Sequence, residues 1–207
     1  MKKAIIMMVA VVASFLIGWT MMVPLLDFFN IHFFGRTKTV GGSVCNGPWA
    51  TRVDLARSDT SSLMRAYIAR IGIGANQAEE ALYWNAYTDS DGRLLDGGHS
   101  YDVRFTKRPP VRDTGFWSLT VYDKDSYLVP NRDKRYSVGD RSAIIKHHDG
   151  SFIIKISQRR PNETGNWLPC PPEGAFSLTL RMYIPLEEAL KRPESIAMPE
   201  IACLDCR

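Results

Sequence analysis

A chain of 207 residues, 45% of them hydrophobic and 23% charged, has room for one membrane-length segment and one globular domain with a buried core, and its composition excludes a disordered or low-complexity protein. The formal net charge of +4 is small and spread along the chain. It lacks the concentrated basic face of a nucleic-acid binder, so no nucleic-acid partner is expected.

At the amino terminus Lys2 and Lys3 precede an uncharged apolar run over residues 4–26. As a helix rising about 1.5 Å per residue, the run exceeds the roughly 30 Å hydrocarbon core of a bilayer. It also overshoots the roughly 7–15 residues of a signal-peptide core, and its only small-residue cleavage signal, Val12-Ala13-Ser14, lies inside it. Residues 1–34 are therefore expected to be an uncleaved signal anchor with one transmembrane helix. Lys2 and Lys3 stay cytoplasmic, the remainder faces outward, and residues 27–34 form an interfacial collar.

Residues 35–60, rich in Gly, Thr, Ser and Arg, carry no sustained period and read as a tether. Ser61 or Ser62 can cap a short helix over residues 63–71, with Leu63, Tyr67 and Ile71 on one face. Gly72 and Gly74 end it. From about Tyr83 the signal changes to short aromatic and β-branched runs separated by turns, the rhythm of an antiparallel sandwich. Strands are expected over residues 82–88, 100–106, 116–122, 142–147, 152–157 and 176–184. In the third of these the alternation turns Trp117, Leu119 and Val121 into the core. Residues 191–207 read as a carboxyl-terminal tail.

The chemistry-bearing motifs are sparse. There is no G-x-S-x-G elbow, no H-E-x-x-H and no Gly-rich phosphate loop, so no catalytic residue and no cofactor is assigned. Four cysteines, Cys45, Cys170, Cys203 and Cys206, suit an oxidising compartment and are all disulfide candidates, with three connectivities open. Cys203-Leu204-Asp205-Cys206 lacks the strand and helix context of a thioredoxin-like motif. As a metal site it supplies two of the four ligands of a structural zinc, so no metal is assigned. Asp102, Asp123, Asp149 and His99 are the ionisable residues a hydrolase or carbohydrate-active site at the sandwich end would use. Residues 166–172, with three prolines, must run at an edge, where Trp167 either plugs the sandwich or floors a groove for a lipid or glycan.

Residues from about 61 to 186 resemble a bacterial family, domain of unknown function 1214. The likeness is carried in order by RAYIARIGIGANQAEEALY, DSDGRLLDGGHSYDVRF, GFWSLTVYD, the NRDKRY loop, HDGSFIIKI and GNWLPCPPEGAFSLTLRMYIP. The matching positions include Phe116, Trp117, Asn131, Arg135, Tyr136, Asp149, Gly150, Asn166, Trp167, Leu168, Pro169, Arg181, Tyr183 and Pro185, whereas Cys170 stands where many relatives carry a small residue.

The resemblance implies a mainly β, jelly-roll-like antiparallel sandwich over residues 61–190 and no assigned reaction. It also implies a partner module, domain of unknown function 1254, which usually shares the chain and is not seen in this sequence. The expected role is thus a non-enzymatic accessory module on the periplasmic face of the bacterial inner membrane, docking a partner that resembles the 1254 module. The polar loop ahead of Tyr136 suggests a docking rim for carboxylates or phosphates, a groove lined by Arg135, Tyr136, Asn166, Trp167 and Arg181.

Overall fold

The computed structural model describes residues 2–29, 43–54, 57, 65, 69, 74–161 and 165–206. It falls into two compact units, 1–40 and 41–207.

The first unit contains helix α1, Lys2–Phe29. Its side chains are described for Lys3 and for residues 6–21, all of them exposed, among them Ile6, Phe15, Leu16 and Trp19. Thr20 is satisfied within the helix by donating to Leu16 O and Ile17 O, each at 3.0 Å. Among the described residues no helix is long and apolar enough to cross a membrane, so the expected span is not found there.

The second unit is mainly β, with one antiparallel and one mixed sheet. In chain order the strands are β1 (Ser43–Asn46), β2 (Trp49–Arg52), β3 (Ala81–Ala86), β4 (Tyr101–Phe105), β5 (Val111–Asp123), β6 (Ser137–Gly139), β7 (Phe152–Ile156), β8 (Trp167–Leu168), β9 (Phe176–Pro185) and β10 (Glu200–Cys203). Helix α2 (Glu187–Lys191) and a 3-10 turn at Pro193–Ser195 separate the last two. One sheet runs β1-β2-β3-β9-β5-β6, the other β10-β4-β7-β8. Among the described residues only the β7–β8 pairing is parallel.

Alternation builds the core. Trp117, Leu119 and Val121 are buried as expected, and Phe176, Leu178, Leu180 and Met182 do the same from β9. Across the sheets Trp117 lies 5.2 Å from the Phe105 ring and 5.5 Å from that of Phe152, and those two rings stack at 4.6 Å. Such aromatic contacts add to simple area burial. Strand β5 slips register between Val111 and Phe116. Gly115 makes the slip sterically feasible, because a Cβ there would sit 2.2 Å from Tyr183 O.

Three local expectations change. Within the expected tether, residues 43–52 form the β1–β2 hairpin, turned at Gly47 with φ +59° and anchored by fully buried Trp49, whose indole donates to Pro199 O at 2.7 Å. Residues 200–203 of the expected tail are a strand paired with β4. Residues 142–147 are not a strand, because the Asn166 side chain takes the place of a ladder partner: its Oδ1 accepts from Ile145 N–H at 2.9 Å, and its Nδ2 donates to Ile145 O at 2.8 Å and Ile153 O at 2.9 Å. The edge strand paired with β5 is instead the three-residue β6. The expected helix over 63–71 lies mostly outside the described residues; Arg65 and Ala69 are described, and both are helical.

Candidate functional site

The five residues expected to line a docking groove are held by separate local contacts. Asn166 is buried and spends its amide on the backbone of Ile145 and Ile153. Trp167 is 4% exposed, its indole donating to Ser157 O at 3.0 Å, so it plugs the sheet edge instead of flooring a pocket. Arg181 stands on β9 and reaches Thr120 Oγ1 at 3.0 Å and Tyr122 Oη at 2.6 Å. The polar loop is closed on itself: Asn131 Oδ1 accepts Arg135 N–H at 2.8 Å while Asn131 Nδ2 donates to Arg135 O at 3.0 Å. Tyr136 is exposed. None of the five lines the four cavities found around His99, Arg192, His147 or Ala143.

The carboxylates of the hydrolase reading are equally dispersed. Asp123 Oδ1 accepts from the backbone of Asp125 and Tyr127, and Asp149 Oδ1 from the backbone and hydroxyl of Ser151, both turn-closing roles. Those Ser151 hydrogen bonds hold the Asp149 carboxyl below its ordinary pKa, the direction opposite to that of a general acid. Asp102 is buried in β4 with Arg104 at 3.7 Å. His99 pairs with Asp205 at 3.2 Å. No two of the four candidates converge, so the paired-carboxylate reading is given up.

A groove does exist at the end of the mixed sheet, about 440 Å³ in volume, where the turn before β4, the end of β7 and the end of β10 meet. Its cationic lining is Lys155, Arg159 and Arg160, with the His99 ring beside them, and among the described residues no Asp or Glu lines it. Arg160 has Asp133 at 3.8 Å. Lys155 stands opposite Asp102 in register, yet among the described residues neither Lys155 nor Arg159 has a carboxylate within ion-pair distance. Two cations without near counterions beside an open concavity favour a carboxylate- or phosphate-bearing guest. The sequence signal was Lys155 on the outward phase of β7 followed by Arg159-Arg160. Without knowledge of where β10 runs, that signal could not be placed beside a cavity.

Of the cysteines, Cys203 and Cys206 are joined as a disulfide, and Cys45 is half-buried in β1. Cys170 is buried, 3.8 Å from Gly97 O, and burial pushes its thiol up to about 11. A thiol that stays protonated is a poor nucleophile. Cys170 is therefore expected to resist alkylation at pH 8 in the folded protein and to react at an ordinary rate once unfolded, as read by mass spectrometry of the labelled peptide. Because the folded state holds the thiol protonated, its contribution is whole below pH 9.0 and is lost as pH rises toward about 11.

The family model described as protein of unknown function, DUF1214, matches residues 80–187. No curated protein matches. The crystal structure of the VPA0106 protein from Vibrio parahaemolyticus superposes with a TM-score of 0.58 at 32% identity, covering 71% of this chain and 36% of that one. The crystal structure of a putative uncharacterized protein from Burkholderia cenocepacia gives a TM-score of 0.46 at 12% identity over 68% of this chain and 33% of that one. The chain thus spans about a third of the length of the solved proteins it matches.

Proposed function

Since the chain belongs to the DUF1214 family of proteins of unknown function, we propose that it is a membrane-anchored accessory module with a jelly-roll-like sandwich, and that it binds a partner chain and performs no reaction of its own. The single observation that carries the binding role is the groove lined by Lys155, Arg159 and Arg160 and, among the described residues, by no acidic one. A concave surface with cations lacking near counterions attracts an acidic guest and orients it as it approaches.

The partner we propose resembles domain of unknown function 1254. In support, this chain corresponds to only 36% of the VPA0106 chain, so in that relative the module is accompanied by a much longer remainder. The anchor is supported by α1, whose 28 residues rise about 42 Å at about 1.5 Å each and whose described side chains over 6–21 are exposed and, Ser14 and Thr20 apart, apolar. With Lys2 and Lys3 inside, the β module faces the periplasm of the bacterial inner membrane.

The test has two arms: carbonate washing of one sample of native membranes, and affinity purification of the full-length protein from a second, unwashed and gently solubilised sample. The protein is expected to stay with the washed membranes and to bring down, at comparable amount, a chain resembling the 1254 module. Release by carbonate would overturn the anchor, and repeated recovery without such a chain would overturn the partner.

A further inference from the structure

We propose that His99, Cys203, Asp205 and Cys206 form a redox-gated site for a zinc-class divalent ion, available when the Cys203–Cys206 disulfide is reduced. One ligand atom from each of the four lies within 4.8 Å of the others. The set unites a soft pair of sulfurs, an imidazole and a carboxylate, which are the donors such an ion selects. Neither this site nor its test depends on the partner-docking reading.

Topology brings the four together. His99 belongs to the turn before β4, and the other three close β10, which pairs with β4 in the register Cys203↔Tyr101. The backbone then fixes the two segments. Leu204 N–H donates to Ser100 O at 2.9 Å, and Ser100 N–H donates to Asp205 Oδ1 at 3.0 Å. The cluster is therefore built from a strand pair and not from side chains that happen to touch.

Two of the ligand pairs already have the spacing of four-coordination, and reduction frees the two bonded sulfurs to separate. Bonds of about 2.0–2.3 Å in a tetrahedron set neighbouring ligand atoms about 3.3–3.8 Å apart. His99 Nδ1 lies 3.2 Å from Asp205 Oδ1, and Cys203 Sγ lies 3.7 Å from the same oxygen. Cys206 N–H is directed at Cys203 Sγ at 3.1 Å, so the backbone of the CxxC turn orients that sulfur toward the cluster. His99 and Asp205 are both partly exposed, which leaves an entry path.

The chemistry balances with a dithiol as reductant. Its two S–H groups are oxidised to a disulfide while the Cys203–Cys206 bond takes up two electrons and two protons and becomes two thiols. The ion then displaces one proton from each thiol to solvent, and neutral His99 and ionised Asp205 complete the ligand set. In the oxidised chain neither sulfur is a thiolate and only two ligands remain, so the disulfide is the gate.

The experiment titrates Zn²⁺ into the detergent-solubilised full-length protein, oxidised and then reduced anaerobically, with Co²⁺ as the spectroscopic probe. Reduction is expected to create one high-affinity site and, with Co²⁺, a thiolate-to-metal charge-transfer absorption. His99→Ala and Asp205→Ala are each expected to weaken the reduced site about tenfold or more, in line with losing one of four ligands. Both are partly exposed residues, so folding survives and far-UV circular dichroism checks it. The proposal is overturned if the reduced protein binds no more tightly than the oxidised one, or if both variants bind as the parent does.

Discussion

Replacing Trp117 with alanine is expected to destabilise the β module by about 3–5 kcal/mol, the cost of removing a large aromatic from a close-packed interior. Trp117 is 2% exposed and projects from β5 onto Phe105 and Phe152, which belong to the opposite sheet. Its loss opens a cavity where the two sheets meet, and the β4 and β7 rings, stacked at 4.6 Å, keep each other but lose the ring above them. The backbone cannot easily collapse into the gap. Gly139 lies against β5 so closely that a Cβ there would sit 2.1 Å from Trp117 O, and β9 clamps the other edge of β5 along its length. Guanidinium unfolding of the detergent-solubilised full-length protein, followed by far-UV circular dichroism, measures the change. A loss below about 1 kcal/mol, the range of conservative core swaps, would mean that Trp117 does not bridge the sheets.

Asn166→Ala comes second, with an expected cost of roughly 2–4 kcal/mol from the orphaned backbone groups it leaves. The side chain serves Ile145 N–H, Ile145 O and Ile153 O, two of which belong to a segment without a ladder partner of its own. The change should be local as well as global. Hydrogen exchange at the Ile145 amide is expected to lose its protection, while amides in the β3–β9–β5 ladder keep theirs up to the reduced global stability. Unchanged Ile145 exchange, or a loss confined to partner binding, would return Asn166 to the ligand-contact role that its sequence context suggests.

Those two residues mark what a linear reading can and cannot reach. The period-2 patterns at 116–122 and 176–184 were legible because each strand is long and half-buried, so alternation reports the core directly. Strands β1, β2, β6, β8 and β10 have at most four residues, too few for a period, and rest on partners far away in sequence. Trp49 was the one aromatic side chain in a Gly- and Arg-rich stretch. Its burial against Pro199 depends on a contact 150 residues distant.

The site was harder to read for the same reason. Polar composition drew attention to 131–136, yet Asn131 explains that loop locally. The CxxC motif showed two sulfurs, while the imidazole beside them comes from 106 positions before Asp205. Asn166 and Trp167 were conspicuous as rare residues in series, and both prove to be structural, one as a backbone clamp and one as a plug. Arg159 and Lys155 carry no distinctive signal in the sequence, because a single cation on a strand face is ordinary; the absence of acids among their described groove neighbours is a property of the fold.

The central claim, that this module docks an acidic partner through the groove at the end of the mixed sheet, is tested most directly by charge reversal. The Lys155→Glu/Arg159→Glu double variant and the parent protein would be purified in parallel from native membranes, and the co-purifying chain that resembles the 1254 module quantified by mass spectrometry. Two reversed charges at a docking rim are expected to lower recovery of that chain about tenfold, with the parent complex weakening as salt is raised. Equal recovery with both proteins, indifferent to salt, would contradict the account.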